Sequence, residues 1–322
     1  MCSPANTTCI KYILASGILI IFLLTACNSK KTGDNYTDTP TTGEVAIAVD
    51  ESFQPIIEAE LPVFHAIYKY ATIHPKYLPE NAAINMLLHD SVRLAIVSRP
   101  LKAKEMEYFH RTKFFPKEIP VAIDGIAVIV NPSNPDTLFS ISQLRKIVLG
   151  EITDWKQINP SSKAGKIKVV FDNPNSSTVR FLVDSITKTG KLSKQLSAML
   201  YTLDVVDFIA ENPDAIGLIG VSWISDSRDA KSLSFYKKIK VAAISAEDIA
   251  TKDNSYQPFQ AYIATGKYPL TRFIYMILSE PRAGLGTGFT SFVASDKGQR
   301  IILKTGVLPY TQTVRIVNVN PE

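Results

Sequence analysis

The sequence predicts an α/β protein built as two lobes. Three observations lead there: short β-branched runs alternate with helical stretches, polar caps and turns separate them, and the body is too long for one core. Alternation of this kind argues for largely parallel sheets flanked by helices. About 280 residues follow the N-terminal leader and tether, more than a single hydrophobic core usually organises.

The body opens with Val45-Ala46-Ile47-Ala48-Val49, an apolar run with the character of a buried strand. Asp50-Glu51-Ser52 breaks it. From Phe53 to Tyr70 the apolar residues Ile56, Ile57, Leu61, Phe64, Ile67 and Tyr68 recur at helical spacing, with Pro55 in the first turn. A helix over 82–88, a strand over 93–97 and a helix over 102–111 form a second unit. Ile119 to Val130 reads as a strand interrupted by Asp124-Gly125, and Asn131-Pro132-Ser133-Asn134-Pro135 as a turn. A helix over 142–149 stops at Gly150. A strand over 167–171 leads through the polar loop 172–177 into a helix from Thr178 to about Thr189.

The leader fixes the compartment. Lys11 precedes an apolar run from Tyr12 to Leu24, shorter than the roughly 20 residues of a bilayer span and of the length of a signal-peptide core. Leu24-Thr25-Ala26-Cys27 resembles a bacterial lipobox, which implies cleavage after residue 26 and acylation of Cys27. Residues 1–27 are thus expected to be a lipoprotein signal peptide with the lipid on Cys27. Residues 28–43, polar and almost without apolar side chains, are expected to be a disordered tether. The domain is then extracytoplasmic, in the cell envelope, held to a membrane by its anchor.

Composition excludes several functions. The three cysteines, Cys2, Cys9 and Cys27, all precede the body, so the domain has no thiol for catalysis, metal binding or disulfides. A net charge of +5, with Lys and Arg dispersed, lacks the basic stripe of a nucleic-acid binder. His65, His74, His89 and His110 are the only histidines, and no H-E-x-x-H, G-x-S-x-G or P-loop pattern occurs. Asp50 and Glu51 are the sole candidate acid/base pair, and adjacent acids after a strand more often cap the next helix. No enzyme, cofactor or metal site is expected.

Three strand-to-helix junctions share one chemistry: Asp50-Glu51-Ser52, Ser98-Arg99, and Asn173-Pro174-Asn175-Ser176-Ser177-Thr178. Each sets hydroxyl or basic groups where the free amides of a helix N-terminus point outward. A dehydrated oxyanion needs donors on every side, and hydroxyls, amides and a guanidinium supply them. A lone Ser52 or Ser176 also suits a plain N-cap. The Ser176-Ser177-Thr178 triplet exceeds what one cap needs.

Longer stretches are similar to the PstS-like phosphate-binding proteins of bacterial phosphate ABC transporters, within the type II periplasmic binding proteins. They are VRLAIVSRPLKAKE (92–105), ISQLRKIVLGEITDW (141–155), IKVVFDNPNSST (167–178), YPLTRFIYMIL (268–278) and FVASDKGQRIILKTGVLP (292–309). The resemblance implies a type II fold, with residues 44–121 plus 252–322 in one lobe, 122–251 in the other, and a ligand in the hinged cleft. It implies a monomeric solute-binding lipoprotein that captures phosphate or a similar oxyanion for an ABC permease. The alternative is a non-transport envelope lipoprotein that senses or binds a partner.

Carried over by position, the ligand-binding residues are Ser52, Ser98, Arg99, Ser176 and Thr178. Ser177 stands in for a family glycine amide, and Arg180 supplies charge one turn into the helix. The chain departs from the family pattern at Asp172, where a basic residue is usual, and at Asn175 and Ser177, where glycines are. It departs again at Asp50-Glu51-Ser52-Phe53, which lacks Gly-Ser-x-Thr, and at Arg93, where many members carry an Asp. Two acids beside an anion repel it unless they are protonated, bridged by a metal or turned to solvent.

Overall fold

The computed structural model describes residues 38–312 except 189, 227 and 228. The signal peptide, Cys27 and most of the expected tether lie outside the described residues. The end of that tether is part of the fold. Thr42 and Gly43 already belong to the first strand, and Asp38 accepts hydrogen bonds from Arg282 and from the amide of Leu285.

The chain runs β1 (Thr42–Asp50), α1 (Gln54–Ile67), β2 (Tyr70–Leu78), α2 (Glu80–Leu88), β3 (Leu94–Val97), α3 (Ala103–Arg111) and the long β4 (Lys117–Val130). There follow β5 (Leu138–Ser140), α4 (Ile141–Leu149), β6 (Lys168–Phe171), α5 (Ser177–Phe181), β7 (Ser197–Ala198), α6 (Thr202–Glu211), β8 (Ala215–Gly220) and α7 (Ala230–Lys238). The remainder is β9 (Lys240–Val241), β10 (Ala243–Ser245), β11 (Ser255–Tyr256), α8 (Gln260–Ala264), β12 (Thr271–Leu278), α9 (Leu285–Ala294), α10 (Asp296–Lys304) and β13 (Leu308–Pro309).

The main sheet has the order β2-β1-β3-β12-β4-β8-β6-β7. Pairing is parallel among β2, β1 and β3 at one end and among β8, β6 and β7 at the other. The crossing strands β12 and β4 are antiparallel to their neighbours. β4 serves both lobes: Lys117 to Gly125 pairs with β12, and Ile126 to Val130 pairs with β8.

Each lobe is a sheet covered on both faces, which explains the continuous apolar runs in the sequence. In β1, Ile47 and Val49 enter one core with α1, α9 and α10, whereas Ala48 enters another beneath α2 and α3. In β4, Ile126, Val128 and Val130 face α4, and Ala127 and Ile129 face α6. Ile263, Tyr268 and Leu270 also pack into the second lobe's core, directly before β12 returns the chain to the first.

Two elements differ from expectation. The helix expected to reach Tyr70 ends at Ile67, and β2 follows. Only Ala71 and Ile73 of β2 are buried, so its alternation is weak, and Pro75 is tolerated because the strand forms the sheet's edge. The helix expected to run from Thr178 to about Thr189 is α-helical only to Phe181. It continues as a π-helix over Leu182–Thr187 and ends at Lys188 in the left-handed region, φ 54°.

Candidate functional site

The carboxyl ends of β1, β3 and β6 open where β4 and β12 cross between the lobes, the position at which open α/β sheets place ligands. At the end of β1, Asp50 is fully buried and its Oδ1 accepts from the Ser52 amide (3.1 Å), capping a short 3₁₀ turn over Glu51–Phe53. That turn aims Ser52 across the gap. Its Oγ lies 3.4 Å from Ser177 Oγ, and its carbonyl accepts from Ser222 Oγ (2.5 Å). Glu51 faces the second lobe, accepting from the amide (3.2 Å) and hydroxyl (2.8 Å) of Thr202 at the start of α6.

Ser98, just past β3, donates its amide (2.9 Å) and hydroxyl (2.7 Å) to Glu80 Oε1. Glu80, the first residue of α2, is fully buried. Arg180 of α5 reaches over from the second lobe, with Nε 2.5 Å from Glu80 Oε2 and Nη2 2.6 Å from Ser98 Oγ. Arg99 points elsewhere. It forms a two-pronged pair with Glu105, 2.7 and 2.8 Å, and its Nε is 3.9 Å from Glu80.

At the end of β6, Asp172 is buried and collects the hydroxyls of Ser176 (2.5 Å) and Thr178 (3.2 Å). Ser176 is also the N-cap of α5, accepting from the Val179 amide at 3.2 Å. The hydroxyl triplet thus divides its work. Ser176 and Thr178 turn to Asp172, and Ser177 turns to the opposite wall.

What Ser177 meets there is Arg272 of β12, whose Nη1 donates to Ser177 Oγ at 2.6 Å. Arg272 lies directly opposite Asp124 in the β12–β4 register, and its Nε and Nη2 both donate to Asp124 Oδ2, at 3.0 and 2.9 Å. The guanidinium stacks 4.9 Å from the centre of the Phe53 ring. Gly220 leaves room for it, since a Cβ at that position would stand 2.9 Å from Nη2.

Burial pushes Asp50 up to about 7, with Glu80's charge adding to the shift, while Arg272, the nearby Ser177 hydroxyl and the Ser52 amide pull it down. Burial likewise raises Asp172 to about 7 against the Ser176 hydrogen bond, with the charges of Asp50 and Glu51 adding to it. Burial also raises Asp124, against Arg272 and the amides of Gly125 and Ser222. Glu80 goes the other way. Burial opposes its charge, but Arg180's charge and the hydrogen bonds from Arg180 and Ser98 hold it below the ordinary carboxylate value.

The structure gathers the expected site residues into three hydrogen-bonded clusters at the cleft, Ser52–Ser177–Arg272, Ser98–Glu80–Arg180 and Ser176–Asp172–Thr178, and turns Arg99 to Glu105. It adds three residues that the sequence reading did not name as site residues: Arg272, Asp124 and Glu80. A signal existed for the first two. Arg272 is in phase with the inward-facing Ile274, Met276 and Leu278, and Asp124 interrupts an apolar strand. Beside these clusters lies a cavity of about 150 Å³ lined by Asp50, Glu51, Tyr77, Asp172, Ser176 and Tyr201, among others. That is smaller than the roughly 300–1,000 Å³ of pockets for drug-sized ligands. Among the described residues no group of three or more His, Cys, Asp or Glu is arranged to hold a metal ion, and no helix is long and apolar enough to cross a membrane.

Known proteins resemble this chain in sequence and in fold. The chain is 25% identical over 282 residues to the phosphate-binding protein PstS of Staphylococcus saprophyticus, covering 86% of this chain and 83% of that one. It is 24% identical over 282 residues to PstS of Staphylococcus aureus strain USA300, covering 86% and 81%. Among solved structures, a Clostridium perfringens chain described as a phosphate ABC transporter substrate-binding protein, crystallised with phosphate, superposes with a TM-score of 0.70. It is 21% identical, covering 84% of this chain and 100% of that one. An ABC-type phosphate transport receptor from Vibrio cholerae gives 0.61 at 21% identity, covering 83% and 100%. The profile of the PBP superfamily domain matches residues 34–297. With a sequence like PstS and a two-lobed fold whose strand ends converge on a buried polar cleft, the chain belongs to the PBP superfamily.

Proposed function

We propose that the protein captures phosphate, or a similar small oxyanion, outside the cytoplasm and presents it to an ABC permease without performing chemistry on it. The observation that carries this reading is the meeting of Ser52 and Ser177, from opposite lobes, under the guanidinium of Arg272. A guanidinium and hydroxyls in a buried cleft form charge-assisted hydrogen bonds that replace an anion's water. A wrong ligand leaves some of those donors unpaired, which sets selectivity. The names of the relatives, phosphate-binding proteins and phosphate transport receptors, point to the same ligand.

The binding set is then Ser52, Ser98, Ser176, Ser177, Thr178 and Arg180, joined by Arg272, with Arg99 bracing the turn after β3 through Glu105. On this reading the chain returns to the first lobe at Leu270–Thr271 rather than at residue 252, because Ile263, Tyr268 and Leu270 pack in the second core and Ile274 and Met276 in the first. Acylated Cys27 tethers a monomer to the membrane surface. The second reading, an envelope lipoprotein that binds a partner, lacks comparable support from the relatives.

Equilibrium dialysis with labelled phosphate tests the proposal. Saturable one-site binding that is lost in Arg272→Met is the expected result. Absence of binding at millimolar phosphate, together with tight uptake of another solute, rejects it.

A further inference from the structure

We propose that Asp50 and Asp172 are ligand-binding groups that act as protonated hydrogen-bond donors, so that the cleft takes up protons together with its anion. This rests on the oxyanion reading above. The arginines at the cleft are already paired. Arg180 is matched by Glu80 and Asp184, Arg99 by Glu105, and Arg272 by Asp124. Asp50 and Asp172 remain. Both are buried, and among the described residues neither is within ion-pairing distance of a cation.

The other ionisable groups around them deepen the imbalance. Glu51 lies on the 3₁₀ turn between Asp50 and Ser52, and Tyr77 of β2 and Tyr201 before α6 line the same cavity. None brings positive charge. Asp50 and Asp172 thus add two buried negative charges to a cleft whose arginines are already paired, and they repel any anion while both are ionised. Removing those charges by protonation reverses the sign of the interaction, because a carboxyl O–H donates where a carboxylate only accepts.

The geometry suits that role. Asp50 Oδ1 is taken up by the Ser52 amide, while Oδ2 is buried with no partner at hydrogen-bonding geometry among the described residues, the Ser177 hydroxyl lying nearby, and Asp50 lines the cavity. Asp172 lines the same cavity from the opposite lobe, between Ser176 and Thr178. With both values displaced to about 7, an approaching anion shifts them further upward and draws the protons on near neutral pH. The departures from the PstS-like pattern at these two positions then form a pH-dependent specificity device. The cleft holds an oxyanion in mildly acidic surroundings and releases it as the pH rises.

The test is phosphate binding by titration calorimetry between pH 5.5 and 8.5, in pairs of buffers of different ionisation enthalpy, on the wild-type protein and on Asp50→Asn, Asp172→Asn and the double variant. Asparagine copies the shape and donor capacity of a protonated acid. Wild-type affinity is expected to fall at least tenfold from pH 6.5 to 8.5, with one to two protons taken up per anion beyond those due to phosphate itself. The double variant should bind more tightly than wild type at pH 8.5 and lose that excess uptake. Wild-type binding without excess proton uptake overturns the inference and leaves the phosphate reading intact. So does loss of binding at every pH in variants whose circular dichroism is native. Absence of wild-type binding across the whole pH range removes the phosphate reading itself, and this inference with it.

Discussion

The two walls of the cleft handle buried charge in opposite ways. On the Glu80 side, one carboxylate meets two arginines and a serine, Glu105 completes the count, and Glu80 is held ionised. On the Asp50–Asp172 side, one guanidinium is matched by Asp124, and two further buried acids feel its charge but, among the described residues, pair directly with no cation. Matched charge joins lobe to lobe and shapes the site. Unmatched charge leaves it open to protons and ligand, and strongly displaced acids cluster at functional clefts.

The largest effect should come where the Asp50–Asp172 side depends on its single guanidinium. Arg272→Met leaves Asp124 buried without its partner, so denaturant unfolding should show a loss of about 3–5 kcal/mol. Arg272→Met combined with Asp124→Asn should recover much of that stability and none of the phosphate binding. If the double variant binds phosphate as wild type does, Arg272 is a structural residue only and the comparison between the walls loses its basis.

Glu80→Gln should weaken the matched wall less, by about 2–3 kcal/mol, because Arg180 keeps Asp184 and Arg99 keeps Glu105. The sign with pH is definite. Glu80's value in the folded state lies below its unfolded value of 4.5, so its contribution is complete above that pH and is lost as pH falls through the folded value. The stability gap between wild type and Glu80→Gln should therefore close in acid.

Asp172→Asn should do the reverse. The folded protein holds this proton up to about pH 7, whereas the unfolded chain releases it near 3.8, so wild-type stability declines as pH climbs between the two. The variant should be about 1–2 kcal/mol more stable than wild type at pH 8 and lose the advantage near pH 4. Glu60, raised by burial to about 9 within the first core, adds its own slope. The difference between variant and wild type is thus the quantity to follow, by thermal or urea unfolding.

How far the sequence disclosed this contrast follows from where the signals lie along the chain. Strands buried on both faces, such as β1, β3 and β6, announce themselves by continuous apolar runs, and Ser98 and the 176–178 triplet stand directly after two of them. β2 was hidden because an edge strand with two buried residues and a proline carries little periodicity. Asp50 and Asp172 were legible as departures from a family pattern. Their burial was not, because it depends on the opposing lobe. The partner of Arg272 was illegible for the same reason. Asp124 lies far away in the chain and becomes its neighbour only through the register of two crossing strands.

Arg99 gives the smallest expected effect and the sharpest boundary for the comparison. By position it ranked with Ser98 as a ligand group, yet its guanidinium spans both oxygens of Glu105 and donates to the Pro100 carbonyl. Lysine at this position keeps the charge but gives up the planar, two-pronged contact. Arg99→Lys should therefore lose about 1 kcal/mol of stability and leave phosphate affinity within about twofold of wild type, since no donor in the network around Ser177 depends on it. A tenfold loss of affinity without loss of stability would move Arg99 into the binding set. The matched wall would then have to be regarded as part of the ligand site and not only as its frame.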